Sequence, residues 1–283
     1  DRYQMTELLT DPEILERMEP NQALLETILS LKSQMTGPVL AVARRIAAKV
    51  AEELTKKMQQ DFRRSLLGRI RRDISSPVAS MRNLDIQKTI RRNLKHYDPE
   101  EKRLVLEKVY FSGRVKRFNT WRIVMAVDES GSMADAVIHS AVMAGIFARM
   151  PMVDSRLVIF DTQVVDLSEV AQDPVETLMS VQLGGGTDIA KAMNYCQSLI
   201  VNPHRTIVVL VSDLCEGGPV ASLYKVCGEI LESGAKLAAL TALDRNANPF
   251  YNRAVAGTLA KMGAFVGALT PEQLGDYIGN IMQ

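Results

Sequence analysis

Aromatic residues are scarce in this 283-residue chain, at 5% with a single tryptophan, so any core must be built from aliphatic side chains. Hydrophobic residues still reach 47%, enough to bury a sizeable core in one large or two small domains. No uncharged apolar run is long enough to cross a bilayer, which excludes a membrane-spanning helix. Only three cysteines occur, Cys196, Cys215 and Cys227, with no Cys-x-x-Cys spacing. An odd, scattered set excludes a disulfide framework and reads as reduced packing residues of a cytosolic protein. His96, His139 and His204 lie in separate segments, which argues against a zinc cluster, and no Ser–His–Asp arrangement is visible. There is no Gly-x-x-x-x-Gly-Lys loop, so the chain itself is not read as an ATPase. The opening DRYQMTELLTDPE is not a secretory signal, and its lack of an initiator Met suggests a trimmed chain.

Net charge is also nearly absent, at +1, but the balance is uneven. Between Arg63 and Phe118 there are 16 Lys/Arg against 6 Asp/Glu, about +10, which leaves about −9 for the rest. Such a basic arm can dock on the acidic remainder or reach an acidic partner. It also permits nucleic-acid binding, with Arg63, Arg64, Arg69, Arg71, Arg72, Arg91, Arg92, Lys95, Arg114, Lys116 and Arg117 on phosphates. Tyr97, Tyr110, Phe111 and Phe118 would supply stacking surface. Solvated helix faces account for the same residues.

Met5 to about Asp73 reads as helical. NQALLETILSL and VLAVARRIAAKVAEELTKKMQQDF repeat apolar residues at three- and four-residue steps, with Gly37-Pro38 between them. Glu53 and Lys57 stand four apart on a solvated face. IQKTIRRNLKHY makes a short basic helix, and Arg103 to Val115 reads as extended. From Trp121 the pattern changes. WRIVMAV, RLVIF, TIVVLV and KLAALTAL are short, aliphatic and β-branched, as buried parallel strands are. Helical segments separate them at Met133–Met150, Asp188–Leu199, Pro219–Ser233 and Asn252–Met262. Gln163 to Leu167 reads as an antiparallel edge strand, and AFVGAL and PEQLGDYIGNIM supply a last strand and helix. This alternation predicts an α/β fold with a doubly wound, mostly parallel, Rossmann-like sheet, preceded by an α-helical N-terminal region. The expected boundary lies at 118/119, giving a helical, basic region over 1–118 and a sheet domain over 119–283.

Chemistry concentrates where strands end. VMAVDESGSM runs from apolar residues into Asp128, Ser130 and Ser132, three small oxygen-bearing side chains at alternate positions. GGGTD adds Thr187 and VVLVSD adds Asp213, and ligands in such sheets sit beyond the carboxyl ends of the strands. An all-oxygen set suits a hard cation such as Mg²⁺, with Mn²⁺ or Ca²⁺ as substitutes, rather than zinc or copper. Each residue also has a bland role. Ser130, Ser132 and Thr187 precede helices, where hydroxyls cap, and an Asp after a strand is an ordinary turn residue. Gly184, Gly185 and Gly186 permit positive φ and close approach to an ion, or form a flexible turn. The two aspartates roughly neutralise a divalent ion, and if they bind through water the ion stays electrophilic toward an anionic ligand.

Asp128-x-Ser130-x-Ser132, then Thr187 after three glycines, then Asp213 after an apolar strand, resembles the metal-ion-dependent adhesion site of von Willebrand factor A (VWA) domains. The resemblance covers about Asn119 onward. Upstream, IRRNLKHYDPEEKRL and FSGRVKRFNTWRIVMAVDESGSM resemble the bacterial CoxE-like branch of that superfamily. Both resemblances carry implications for the site and its partners. By the first, the hydroxyls of Ser130, Ser132 and Thr187 would coordinate directly, Asp128 and Asp213 directly or through water, and a partner's Asp or Glu would fill the open position. Glu129, Gly185, Gly186 and Asp188 would form the partner-binding rim. By the second, CoxE-like proteins work beside a MoxR-type AAA+ ATPase, so the chain would be a cytoplasmic adaptor presenting a client protein to that ATPase. A metal-dependent hydrolase would need a positioned base. Glu129 occupies a spacer position, and Asp135 and Asp188 sit at helix starts, where acids meet the dipole. The chain is therefore expected to be no enzyme.

Overall fold

The computed structural model describes residues 20–35, 37–67, 84–111, 120–150, 153–182, 184–241, 251–268 and 271–282. The chain forms two compact units, Asp1–Leu66 with Thr120–Gln283, and Leu67–Asn119.

Apolar periodicity sets the first two helices of the described residues, α1 (Gln22–Leu31) and α2 (Gly37–Leu67). Leu24, Leu25, Ile28 and Leu29 of α1 are buried, as are Val39, Val42, Ala43, Ile46, Ala47 and Val50 of α2. Asn21 caps α1, its side chain accepting Leu24 N at 2.8 Å. Pro38 falls in the first turn of α2, where its missing N–H costs nothing. An i,i+4 ion pair on α2 joins Glu52 and Lys56 at 2.7 Å, one residue before the expected Glu53–Lys57 pair.

In the smaller unit, Asp85 caps α3 (Ile86–Asn93) by accepting Lys88 N at 2.9 Å. The expected extended segment is only briefly a strand: β1 (Tyr97–Asp98) pairs antiparallel with β2 (Arg103–Leu104). Beyond it Asn93 takes over. Its amide donates to Lys108 O at 2.7 Å and its oxygen accepts Glu107 N at 3.0 Å, so one side chain replaces a ladder. Leu84 and Phe111 close the unit through an antiparallel bridge. Of the basic arm, Arg69, Arg71, Arg72, Arg114, Lys116, Arg117 and Phe118 lie outside the described residues.

The larger unit continues through β3 (Trp121–Asp128), α4 (Ala134–Ala148), β4 (Val153–Phe160), β5 (Val164–Asp166), α5 (Pro174–Ser180) and α6 (Ile189–Ser198). It ends with β6 (Thr206–Val211), α7 (Val220–Glu232), β7 (Lys236–Leu240), α8 (Arg253–Lys261), β8 (Phe265–Gly267) and α9 (Pro271–Ile281). The six strands form one sheet in the order β5-β4-β3-β6-β7-β8, parallel except for β5, which runs antiparallel to β4 at the edge. The fold is thus the mostly parallel α/β sheet that the alternation predicts. Helix α5 was not anticipated; at seven residues it is too short to show a period.

Strand alternation divides the core. Ile123, Met125 and Val127 of β3, with Leu157 and Ile159 of β4, pack with α1, α2, α4, α5 and α9. Val124, Ala126, Val158 and Phe160 face the other way, into α6, α7 and α8. Both faces are covered, as a parallel sheet requires. Helices α1 and α2 belong to the sheet's own unit, so compact packing cuts the chain at about 66 and 120, whereas composition puts the boundary at 118/119.

Two cysteines pack as expected. Cys196 and Cys227 are 0% exposed, and burial pushes each thiol up to about 12. Cys215 departs from the packing role, since it is exposed on the loop after β6. A disulfide reagent in excess at pH 8 should therefore titrate one thiol in the native protein and three after denaturation, the native one slowly because partial burial and then Asp213 push the Cys215 thiol up. Two reactive native thiols would contradict this burial.

Candidate metal centre

The central strands β3 and β6 run parallel with Val127 opposite Val211, so Asp128 and the Ser212-Asp213 pair leave the sheet side by side. Asp128 is 0% exposed. Its Oδ1 accepts Ser130 N at 3.0 Å and its Oδ2 accepts the Ser212 hydroxyl at 2.9 Å. The Ser130 side chain also bonds to this carboxylate. Ser212 is equally buried and accepts Leu214 N at 3.0 Å, closing the strand end on itself.

Leu214 takes φ +59°, a left-handed conformation costing a branched residue on the order of 1–2 kcal/mol. It is also 0% exposed, and burying a leucine contributes roughly 1.5–3 kcal/mol, which offsets the strain. Asp213 is half-buried; its Oδ1 accepts Cys215 N at 2.9 Å and its carbonyl accepts Asn252 N at 2.9 Å.

Three loops meet here, and each is tied to the other two. The first and third join through Ser212 and Asp128. The first and second join through Glu129, whose carbonyl accepts Gly184 N at 3.2 Å and whose Oε2 accepts Gln182 N at 3.0 Å. The second and third join where Gly217 donates its N–H to Thr187 O at 2.9 Å. Asp161 underlies the glycine turn: its carbonyl accepts Asp188 N at 2.9 Å, and its Oδ2 lies 2.6 Å from where a Cβ on Gly185 would stand. Gly184 and Gly185 take φ +133° and +96°, the freedom expected of them, whereas Gly186 has no positive φ.

Four of the five expected ligands can be placed. Asp128 and Ser130 are in direct contact, Asp213 is close enough to Asp128 for their charges to interact, and Thr187 is bound to the third loop. Ser132 lies on the 3₁₀ turn Gly131–Met133, but its side chain lies outside the described set. Of the expected rim, Gly185 and Gly186 are exposed and Asp188 is half-buried. Asp188 also caps α6, accepting Lys191 N at 2.9 Å. Glu129 does not stand on the rim. It is 5% exposed and turned inward to hold Gln182, because its spacer position in Asp-x-Ser-x-Ser points away from Asp128 and Ser130. Sequence reasoning missed Ser212, Asp161, Gly217 and Glu216. Ser212 left a signal, a polar residue ending the apolar alternation Val208-x-Leu210-x. Glu216, which bonds Ala190 N at 3.0 Å and so caps α6 from another loop, left none.

Electrostatics favour a cation. Burial pushes the Asp128 carboxyl above its ordinary range; the bonds from Ser130 and Ser212 pull it back, and the charge of Asp213 pushes it further up. Glu129 is raised too, first by burial and then by Asp161 and Asp128, against the Gln182 N–H and the charge of Lys32. The Asp128 carboxylate thus accepts from the Ser130 backbone and hydroxyl and from the Ser212 hydroxyl, three bonds on two oxygens. Among the described residues no three of His, Cys, Asp and Glu gather around one point, so an ion here would depend on hydroxyls. Carboxylate and hydroxyl oxygens of this kind could hold Mg²⁺, Mn²⁺ or Ca²⁺ and would not select zinc.

A mostly parallel sheet covered on both faces, with Asp-x-Ser-x-Ser and Asp on loops after β3 and β6 and Thr on the adjoining loop between α5 and α6, is the architecture of an A-type domain. The chain belongs to the family of VWA domain containing CoxE-like proteins, which residues 48–276 match. Over 283 residues, its whole length, it is 41% identical to Uncharacterized protein YehP of Escherichia coli (strain K12), of which it covers 75%. Two solved structures are more distantly similar. An aerotolerance-related membrane protein from Bacteroides fragilis NCTC 9343 is 14% identical at a TM-score of 0.45, covering 57% of this chain and 98% of that one. A von Willebrand factor type A protein from Catenulispora acidiphila is 13% identical at 0.41, covering 61% and 43%. Among the described residues no helix is long and apolar enough to cross a membrane.

Proposed function

We propose that this chain is a metal-dependent protein–protein adaptor that works in the cytoplasm. Asp128, Ser130, Ser132, Thr187 and Asp213 would hold Mg²⁺ in a metal-ion-dependent adhesion site, with Mn²⁺ or Ca²⁺ able to replace it. Asp128 carries the reading: a fully buried carboxylate at the end of a central strand, clasped by two serines and faced by a second acid. Buried charges are paired or bind metal, and the charge of Asp213 that acts on this one is negative. A bound ion would supply an electrophilic position for a partner's Asp or Glu. The chain's own share is to fix the donors and to keep the exposed Gly185 and Gly186 open to that partner.

The partners that fit the family are a MoxR-type AAA+ ATPase and a client protein. A binding role, rather than catalysis, is supported by the neighbouring acids, which are already engaged: Asp188 caps α6, and Asp135 accepts a hydrogen bond from Gln22. Immobilised chain should capture an AAA+ ATPase and an acidic client from bacterial lysate in Mg²⁺ and release them on chelation. Asp128→Ala combined with Ser130→Ala should capture neither. Capture unchanged by chelator would defeat the proposal.

A further inference from the structure

Three side chains of the N-terminal helices reach the layer that carries the candidate site. Gln22 donates to Asp135 Oδ1 on α4 and lies 3.1 Å from His139 Nε2. Arg44 pairs with Glu176 of α5 at 2.7 Å, both side chains nearly half exposed, so that contact is worth little. Lys32, in the turn after α1, differs in what it holds. Its Nζ donates to Met179 O at 2.5 Å and also to Val181 O.

Those carbonyls end α5, where helix oxygens lack intrahelical partners and a cation meets the negative end of the dipole. The chain then passes directly into the metal loop: Gln182 N and Gly184 N are both held by Glu129, and Thr187 comes three residues later. Lys32 and Glu129 also attract one another, so the segment before the glycine turn is gripped by a cation and by an anion that balance each other.

We infer that Lys32 is a positioning residue for the candidate metal site: by fixing Met179 O and Val181 O it sets the origin of the glycine turn that ends at Thr187. The N-terminal helices are then part of the site's support as well as a covering for the sheet. The inference rests on the metal-site reading above, and its test separates the two.

Mn²⁺ affinity of the full chain, by equilibrium dialysis, and site-resolved amide exchange of the metal-free protein are measured for the parent, Lys32→Met, Lys32→Arg and Arg44→Met. Lys32→Met should weaken Mn²⁺ binding about tenfold, as loss of a supporting contact behind a metal ligand does. It should also speed exchange at Gln182 and Gly184 while Val208 and Val209 in β6 keep the parent's protection. Lys32→Arg restores charge and donors and should recover most of both effects; Arg44→Met should alter neither. Parent-like exchange at Gln182 and Gly184 in Lys32→Met overturns the inference. So does loss of protection throughout the sheet, or an equal effect from Arg44→Met. A parent chain that takes up no Mn²⁺ overturns the metal reading, and the exchange data still decide the positioning role.

Discussion

Asp128→Asn is expected to abolish divalent-ion binding without destabilising the metal-free protein. The amide keeps the shape of the carboxylate and an acceptor for Ser130 N, and removes the charge that burial and Asp213 both oppose. Removing one of only two charged ligands should lower Mn²⁺ affinity on the order of 100-fold or more. The parent should gain roughly 5–10 °C in melting temperature at Mg²⁺ one hundred times above its Kd, and the variant nothing.

The pH dependence supplies a second signature. A carboxyl whose folded pKa is raised contributes stability that is complete below its unfolded value, here 3.8, and is lost as pH rises through the folded value. The metal-free parent should therefore lose stability relative to the variant as pH climbs from about 4 toward neutrality. Thermal melts at pH 5 and pH 8, with and without Mg²⁺, test both points. A Mg²⁺ shift that survives in the variant would remove Asp128 from the ligand set.

Gly217→Ala should have the largest effect of any small substitution in the loops. A Cβ there would lie 2.5 Å from Thr187 O, the same backbone oxygen that the Gly217 N–H binds, so neither loop can yield alone. Overpacking of this kind typically costs about 1–3 kcal/mol, and its relief must displace Thr187. Both melting temperature and Mn²⁺ affinity should fall. Gly185→Ala has a different origin of strain: φ +96°, and a contact with Asp161 Oδ2, the mobile end of a side chain. Gly131→Ala meets nothing within 4 Å and should be silent in both assays. Equal behaviour of Gly217→Ala and Gly131→Ala would show that the second and third loops are not coupled.

Much of the fold was legible because its signals are local. WRIVMAV and TIVVLV are strands in any context that covers both faces; β3 ends at its first acid, Asp128, and β6 ends two residues before Asp213. That placed Asp128 and Asp213 at strand ends before any packing was known; that the two strands are neighbours came only with the sheet order. Glu129 was misplaced for a physical reason: sequence shows a spacer between ligands, and only packing shows the buried slot where Gln182 N waits. Cys215 was grouped with two packing cysteines because composition cannot tell a helix interior from a loop. The N-terminal helices were separated from the sheet by charge, yet their apolar residues share its core.

From residue order alone came the alternation of strands and helices, the aliphatic core, and the acids at or just past the ends of β3 and β6. Each of these depends on neighbours within a few positions, and periodicity records such neighbours faithfully. Folding in three dimensions settled how the loops are clasped. Glu129 meets Gln182 across 53 residues and Ser212 meets Asp128 across 84, and no local pattern encodes a hydrogen bond over such a distance.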